Sequence, residues 1–166
     1  MRTRLGARIA VVMVTAVMML TAVSTASAAN IGQEGCTPGF WKNNPGAWEE
    51  YSPTQTVRSV FSAAPAPDAD DTLMEALQGG GGAVHILLRA SVASFLNAAH
   101  EGIGYPYRRY AEPGMLHEQI QAALASGDRA RMLALADWLD ETNNLGCPLK
   151  ADEATEKKGK PKKKGK

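Results

Sequence analysis

The segment from Gly35 to Trp48 most constrains the fold of this chain. It brings together a cysteine, three large aromatic side chains and two Pro-Gly pairs. Because proline fixes φ and lacks an N–H donor, while glycine favours turns, the sequence predicts an irregular, turn-rich segment here. Ordering such a segment costs conformational entropy, so we expect it to be tied to the rest of the protein. A bond from Cys36 to Cys147, the other cysteine of the chain, would provide that tie.

Residues 1–28 are predicted to be a secretory signal peptide. Three arginines lie within the first eight residues, an apolar run covers 9–23, and small residues at 26–28 suit a signal peptidase. The alternative is a membrane anchor, which requires about 18 to 20 apolar residues, more than this run provides. We therefore expect the mature chain to begin at Ala29 and to be exported, secreted or placed at the cell surface.

Export would place both cysteines in an oxidising compartment, where a disulfide is stable. A Cys36–Cys147 bridge would close a loop for which chain entropy gives about 4 to 5 kcal/mol of stabilisation. Two free thiols or intermolecular bridges are the alternatives. The intramolecular bridge is favoured because the two cysteines flank one domain of an exported chain.

Charge divides the mature chain into two parts. Residues 29–149 hold seven basic and fourteen acidic side chains, a formal charge of −7, whereas residues 150–166 hold eight lysines and three acids. We predict one domain over 29–150 and a disordered lysine-rich tail over 151–166. The tail is expected to bind anionic cell-envelope polymers or membranes, with nucleic acid as a less favoured partner. The alternative is a solubilising tail that has no partner.

Apolar residues follow a helical period through most of the domain, and no stretch alternates as a strand does. The strongest pattern is apolar on nearly all sides, which is typical of a helix at the centre of a bundle. The fold class is therefore all-α, a small bundle of about four to five helices with an irregular aromatic segment tied to the carboxyl terminus. The predicted helices are a short one starting near 52–54, a second starting at Asp70 or Asp71, a central one over 84–99, one over 115–126 and a last one over about 129–142.

Phe40 and Trp41 are predicted to be core residues, because burying side chains of this size stabilises a small alanine-rich domain by several kcal/mol each. Trp48 is the better candidate for partial exposure and ligand contact. Arg89 lies within the near-apolar central pattern, so its guanidinium must be paired. It either forms a buried ion pair with Asp137 or Asp140, or marks the site of a ligand's carboxylate.

No metal, cofactor or catalytic motif is predicted. His85 and His100 lie about 22 Å apart along one predicted helix, so they do not share an ion. The chain lacks a P-loop, a complete dinucleotide fingerprint, a Gly-x-Ser-x-Gly elbow and a His-Glu-x-x-His pair. A weak catalytic or binding set surrounds the 101–114 loop, namely His100, Tyr105, Arg108 and Glu112. His100, just past a predicted helix end, also suits the helix dipole.

Four motifs carry a resemblance to a known family. They are Cys-Thr-Pro-Gly-Phe-Trp-Lys-Asn from Cys36, Leu-Asn-Ala-Ala-His at 96–100, Ala-Leu-Ala-Ser-Gly-Asp-Arg at 123–129 and Asn-Asn-Leu-Gly-Cys-Pro-Leu at 143–149. Together they resemble a family of secreted bacterial proteins that has a Thr-Pro-Gly-Phe/Tyr-Trp-Lys signature and no assigned activity. The resemblance implies secretion and a paired-cysteine helical unit. Relatives often continue into cell-surface sorting sequences, whereas this chain ends in lysines.

Three functions are compatible with these features. The first is a secreted or envelope-associated, non-enzymatic helical module with a structural or binding role. The second is a small secreted hydrolase that uses the 101–114 loop. The third is a glycan-binding module in which Trp41, Trp48 and Tyr51 stack on sugar rings. Exposure of those aromatic side chains would favour the third, and a cleft joining His100 to a carboxylate would favour the second.

Overall fold

The computed structural model describes residues 32–149, so the predicted signal peptide (1–28) and lysine-rich tail (151–166) lie outside the described residues. Within 32–149 the chain is all-α and has no β-strand, as predicted, with six α-helices rather than four to five. Two 3-10 turns, Pro45–Ala47 and Asp68–Asp70, connect the helices. The helices are α1 (Pro38–Asn43), α2 (Val57–Val60), α3 (Leu73–Gln78), α4 (Ala83–Ala99), α5 (Leu116–Ser126) and α6 (Arg129–Asn143).

Helix α4 is the centre of the bundle, as its sequence pattern predicts. It packs against α6 along its length and also contacts α1, α3 and α5. Large apolar side chains on several of its sides are buried, among them Leu87, Leu88, Val92, Phe95 and Leu96. Among the helices of residues 32–149, none has both the length and the apolar character that a bilayer span requires.

Within residues 32–149, helix α1 is the one helix that the sequence did not predict, and it lies within the aromatic segment that was expected to be irregular. Pro38 occupies its first turn, where the missing N–H needs no partner and the fixed φ suits a helix. The Thr37 hydroxyl oxygen caps this helix by accepting a hydrogen bond from the Phe40 N–H at 3.1 Å. Pro38 therefore begins a short helix, and the Pro45–Ala47 turn follows it.

Two of the predicted helix starts differ from the structure. Thr72, rather than Asp70 or Asp71, caps α3 in a capping box with Glu75: the Thr72 N–H donates to the Glu75 carboxylate at 2.8 Å, and Thr72 Oγ1 accepts from the Glu75 N–H. Thr72 is a better cap than Asp70 or Asp71, because its hydroxyl and the Glu75 carboxylate together accept from two backbone N–H groups. Helix α2 begins at Val57 rather than near 52–54. Asp128 caps α6 by accepting a hydrogen bond from the Ala130 N–H at 2.8 Å, and the helix begins at Arg129, as predicted.

The predicted Cys36–Cys147 disulfide is formed and joins the two ends of the described chain. Beside it, the Gly35 N–H donates to the Gly146 carbonyl at 2.9 Å, and the Gly146 N–H donates in return at 3.3 Å. Gly35 is required at this closure, because a Cβ atom added there would lie 2.2 Å from the Thr142 carbonyl oxygen. Two hydrogen bonds and one covalent bond thus hold the amino-terminal segment against the end of α6.

We expect Gly35→Ala to destabilise the domain by about 2 to 3 kcal/mol, because the added methyl group meets backbone that has no room to move aside. Gly46→Ala is the matched control, since no atom lies within 4 Å of the position that its Cβ would take. Urea unfolding of both oxidised variants measures the difference. Equal unfolding midpoints for the two variants would contradict this account of the closure.

Candidate functional site

A buried polar network around Asn97 positions the aromatic segment. Asn97 Oδ1 accepts hydrogen bonds from the Cys36 N–H at 2.8 Å and from Trp41 Nε1 at 3.1 Å. Its Nδ2 donates to the Cys36 carbonyl and to Asn143 Oδ1, both at 2.9 Å. Asn97 is fully buried on α4, so the side-chain amide replaces water for the backbone of a segment that has no sheet or long helix.

Asn143, at the end of α6, continues the network. Its Oδ1 accepts from Asn97 and lies 3.1 Å from the hydroxyl oxygens of Ser94 and Tyr105, and its Nδ2 donates to the Ala90 carbonyl at 3.0 Å. The Tyr105 hydroxyl is also 2.9 Å from Thr142 Oγ1. Burial raises the pKa of Tyr105 to about 12, so the phenol stays protonated and serves as a structural donor.

The aromatic residues of the segment follow the predicted order of burial. Trp41 is fully buried and Phe40 is 6% exposed, which confirms both as core residues. Trp48 is half-buried, and its indole N–H donates to the Trp41 carbonyl at 3.1 Å. With Trp41 inside the core and Trp48 fixed against it, the segment presents no row of exposed rings for a sugar.

His100 follows α4 and packs against Trp41, with ring centroids 5.9 Å apart. Its Nδ1 accepts a hydrogen bond from the Gly102 N–H at 3.0 Å, and its Nε2 lies 3.5 Å from the Glu49 carboxylate. Glu49 in turn accepts a hydrogen bond from the Glu101 N–H at 2.8 Å. Both ring nitrogens of His100 therefore have partners, and this arrangement connects the aromatic segment to the 101–114 loop.

The 101–114 loop brings a second group of polar side chains together at Arg109. The Arg109 guanidinium forms two hydrogen bonds with the Glu50 carboxylate, at 2.7 and 2.9 Å, and a third with the Tyr51 hydroxyl at 2.9 Å. Its Cζ lies 5.5 Å from the Tyr51 ring centroid and 5.8 Å from that of Tyr110, within the range of cation–π attraction. We call these four residues, Glu50, Tyr51, Arg109 and Tyr110, the Arg109 cluster.

The charges within the Arg109 cluster stabilise one another. Hydrogen bonds from Arg109 lower the pKa of the Glu50 carboxyl. Burial raises the pKa of Tyr51 to about 12. Burial alone would lower the pKa of Arg109, but its hydrogen bonds to Glu50 and Tyr51 prevail and raise it. The cluster thus keeps Arg109 charged, Glu50 ionised and Tyr51 neutral at neutral pH.

A surface pocket of about 360 Å³ lies beside the Arg109 cluster. It is lined by Arg108, Arg109, Tyr110 and Ala111 from the loop and by Ala98 from α4, and we call it the Tyr110 pocket. Tyr110 is 62% exposed, yet its ring packs edge-on against Phe95, with ring centroids 6.0 Å apart, and against His117, with ring centroids 5.2 Å apart. Arg108 is exposed, and within residues 32–149 its guanidinium has no hydrogen bond or ion pair. The pocket therefore presents an aromatic ring held by its neighbours next to the Arg108 guanidinium, which has no ion-pair partner among the described residues.

The structure separates the residues that the sequence suggested as a site. Tyr51 belongs to the Arg109 cluster and Arg108 lines the Tyr110 pocket, whereas Trp48, His100 and Tyr105 are held in structural contacts elsewhere. The Glu112 carboxylate accepts a hydrogen bond from the Gly114 N–H in its own turn. Within residues 32–149, no hydrogen bond or ion pair joins any two of the weak catalytic set His100, Tyr105, Arg108 and Glu112.

Arg109 and Tyr110 are site residues that the sequence pattern did not single out. The signal was present, because Tyr-Pro-Tyr-Arg-Arg-Tyr at 105–110 is the densest aromatic and basic stretch of the loop. Which arginine is committed to Glu50, and which tyrosine is exposed, depends on tertiary contacts. In the part of the chain that the structure describes, no three His, Cys, Asp or Glu side chains come together as a metal-binding group.

The buried ion pair that the sequence predicts for Arg89 is not formed within the described residues. The Arg89 side chain is half-buried, and among residues 32–149 no ion pair joins it to Asp137 or Asp140. Helix α4 is apolar on most sides, but Arg89 lies at the border of the core, where α4 meets a polar groove. The guanidinium therefore keeps contact with water, which removes the need for a buried partner.

Comparisons of the chain with protein-family models, with curated proteins and with solved structures find no match. The resemblance to secreted bacterial proteins stays a prediction. The structure nevertheless gives a physical role to two of the motifs that carry it, because Cys36 and Trp41 of the first motif bind Asn97 of the second.

We expect Asn97→Ala to destabilise the domain by about 3 kcal/mol or more, since it leaves the buried N–H groups of Cys36 and Trp41 without an acceptor. Asn44→Ala is the control, because within residues 32–149 the Asn44 side chain makes a single hydrogen bond, to the Phe40 carbonyl, and its loss should cost about 1 kcal/mol. Urea unfolding followed by tryptophan fluorescence compares the two. Similar losses would show that the Asn97 network is not the main attachment of the aromatic segment.

Proposed function

We propose that this protein is an exported, non-enzymatic helical module that acts at the cell envelope or outside the cell by binding a glycan with acidic groups. The Tyr110 pocket is its binding surface. The observation that carries this proposal is the exposure of Tyr110: in residues 32–149, Tyr110 and Leu145 are the exposed large apolar side chains. Tyr110 differs from Leu145 in having a flat ring beside cationic side chains.

The chemistry of the pocket suits a sugar ring with an acidic substituent. An exposed aromatic face packs against the C–H face of a pyranose, and it does so at low entropic cost when neighbouring groups already fix the ring. Phe95, His117 and Arg109 fix Tyr110 in this way. The free guanidinium of Arg108 is suited to a carboxylate or phosphate, which it binds through two parallel hydrogen bonds.

The formal charge of the domain, −7 over residues 29–149, acts against an acidic polymer at long range. Physiological salt screens this repulsion beyond about 8 Å, so the local cations of the pocket decide the contact. The lysine-rich tail offers a second, salt-sensitive attraction to the same class of polymer, as its composition predicts.

The contacts of His100 weigh against the hydrolase alternative. A general base needs a ring nitrogen facing the nucleophile, and both nitrogens of His100 face Gly102 and Glu49 instead. Tyr105, Trp48 and Glu112 are likewise held in structural hydrogen bonds. These contacts favour binding over hydrolysis as the function of the exposed residues of the 101–114 loop.

Export is tested by recovering the protein from the medium and the envelope fraction of a host that secretes it. The expected form begins at Ala29 and has the mass of the oxidised chain, because a signal peptidase removes residues 1–28 and the exported cysteines form a disulfide. Intact mass and amino-terminal sequencing measure both features. Recovery of the uncleaved chain in the cytoplasm, with free thiols, would contradict the proposed compartment.

Glycan binding is tested with immobilised acidic and neutral polysaccharides and the purified oxidised protein. We expect Tyr110→Ala to weaken binding about fivefold, because an aromatic contact of this kind contributes about 1 kcal/mol. Arg108→Gln should weaken binding to the acidic polymer by a similar factor and leave binding to the neutral one unchanged. Affinity electrophoresis or a surface-binding assay measures these changes.

Two controls separate the pocket from general surface effects. Leu145→Ala removes the other exposed large apolar side chain, and Arg129→Gln removes an exposed cation on α6. Both should bind as the unaltered protein does. If Tyr110→Ala retained full affinity for every polymer that the protein binds, the proposed surface would be wrong.

A further inference from the structure

A polar groove of about 360 Å³ lies on a different part of the surface, where α1, the end of α3, α4 and α6 meet. Its charged lining consists of Lys42 from α1, Arg89 from α4 and Asp140 from α6, and Gln78 and Asn144 add side-chain amides. The groove shares no lining residue with the Tyr110 pocket. A ligand in this groove would therefore bind independently of the proposed glycan site.

The charges of this groove are not neutralised by one another. Within the described residues, 32–149, neither Lys42, Arg89 nor Asp140 takes part in an ion pair. Arg89 and Asp140 are nevertheless close enough to interact: burial raises the pKa of the Asp140 carboxyl, and the positive charge of Arg89 acts in the opposite direction. The half-buried, opposite charges of Arg89 and Asp140 thus line the same groove without forming an ion pair with each other.

The helices that form the walls of the groove are fixed to one another by hydrogen bonds. Asn143, three residues after Asp140, donates to the carbonyl of Ala90, the residue that follows Arg89. Helix α1, which contributes Lys42, is fixed to α4 by the hydrogen bond between Trp41 and Asn97. These contacts fix the register of α4 against α6 and the place of α1, so the backbones that carry the three charges are already positioned before a ligand arrives.

We propose that this groove binds a small zwitterion, a molecule with one carboxylate and one ammonium group, either as a free amino acid or as a short peptide. The carboxylate pairs with Arg89, whose planar guanidinium matches its two oxygen atoms, and Lys42 adds a second positive charge at the exposed side. The ammonium group pairs with Asp140. Each half-buried charge gains a partner in a space partly shielded from water, where opposite charges attract more strongly than at a fully exposed surface.

The groove has the size expected for such a ligand, because small-molecule sites occupy about 300 to 1,000 Å³ and this one lies at the lower end. A ligand with a single charge would satisfy one side of the groove and leave the other unpaired. A preference for zwitterions over singly charged analogues is therefore the distinguishing property of the site.

The test is an NMR titration of the isotope-labelled full chain with its disulfide formed, at neutral pH. The probes are L-alanine, L-alanyl-L-alanine, N-acetyl-L-alanine and L-alaninamide. Saturable shifts of the Arg89 side-chain N–H and of backbone amides at 138–144 are expected with at least one of the first two. Alanine and the dipeptide distinguish a free amino acid from a peptide as the source of the zwitterion.

The two singly charged probes should bind at least about tenfold more weakly than the better zwitterion. Arg89→Gln should lower the affinity for that zwitterion by at least the same factor, and Arg89→Lys by less, because lysine keeps the charge. Asp140→Asn should abolish the preference for alanine over N-acetyl-alanine. Arg131→Gln, which removes an exposed cation elsewhere on α6, is the matched control and should change neither affinity nor preference.

Thermal melting establishes that each variant is folded. If Arg89→Gln does not fold, Asp140→Asn still tests the proposal through the preference between probes. The absence of saturable shifts at the groove with both zwitterions would overturn it. Equal affinity for the zwitterions and the singly charged probes, or full affinity in a folded Arg89→Gln variant, would also overturn it.

Discussion

Four hydrogen bonds of the buried Asn97 side chain join the amino-terminal segment to α4 and to the end of α6. The segment from Cys36 to Trp48 has no sheet and no long helix to satisfy its backbone, so it depends on this amide. The Cys36–Cys147 disulfide closes the same junction covalently. The position of Trp41 in the core, and with it the place of Trp48 and His100, depends on this junction of hydrogen bonds and disulfide.

This attachment explains why most polar residues that invite a catalytic interpretation are structural. Tyr105, Asn143 and Ser94 complete the network inside the domain, and His100 covers the edge of Trp41. A helical domain of this size has few buried positions for polar groups, and nearly all of them are paired; within residues 32–149 the Ser91 hydroxyl is the exception. The two surfaces proposed to bind ligands lie at the border of the bundle, in the Tyr110 pocket and in the groove beside Arg89.

The two surfaces depend on the rigid frame in different ways. In the Tyr110 pocket, Arg109 is committed to Glu50 and Tyr51, which leaves Arg108 and the Tyr110 ring for a partner. In the groove, α4 and α6 bring Arg89 and Asp140 to the same space, where these two residues form no ion pair with each other. A domain closed by a disulfide loses little conformational entropy when a ligand binds. This lowers the free-energy cost of binding, which matters most for small ligands that make few contacts.

The sequence by itself determined the all-α class, the central place of α4, the range of α6 and the burial of Phe40 and Trp41, because hydrophobic periodicity and side-chain size act locally along the chain. It also limited an intramolecular bridge to Cys36 and Cys147, since the chain has no other cysteine, and the structure brings the two together. Only the tertiary structure decided that Arg109 rather than Arg108 binds Glu50, that Tyr110 is exposed while Tyr105 is buried, and that Arg89 and Asp140 face one groove without pairing. These outcomes depend on which residues of distant segments meet, and local pattern contains no information on the distance between a loop and a helix far away in the sequence.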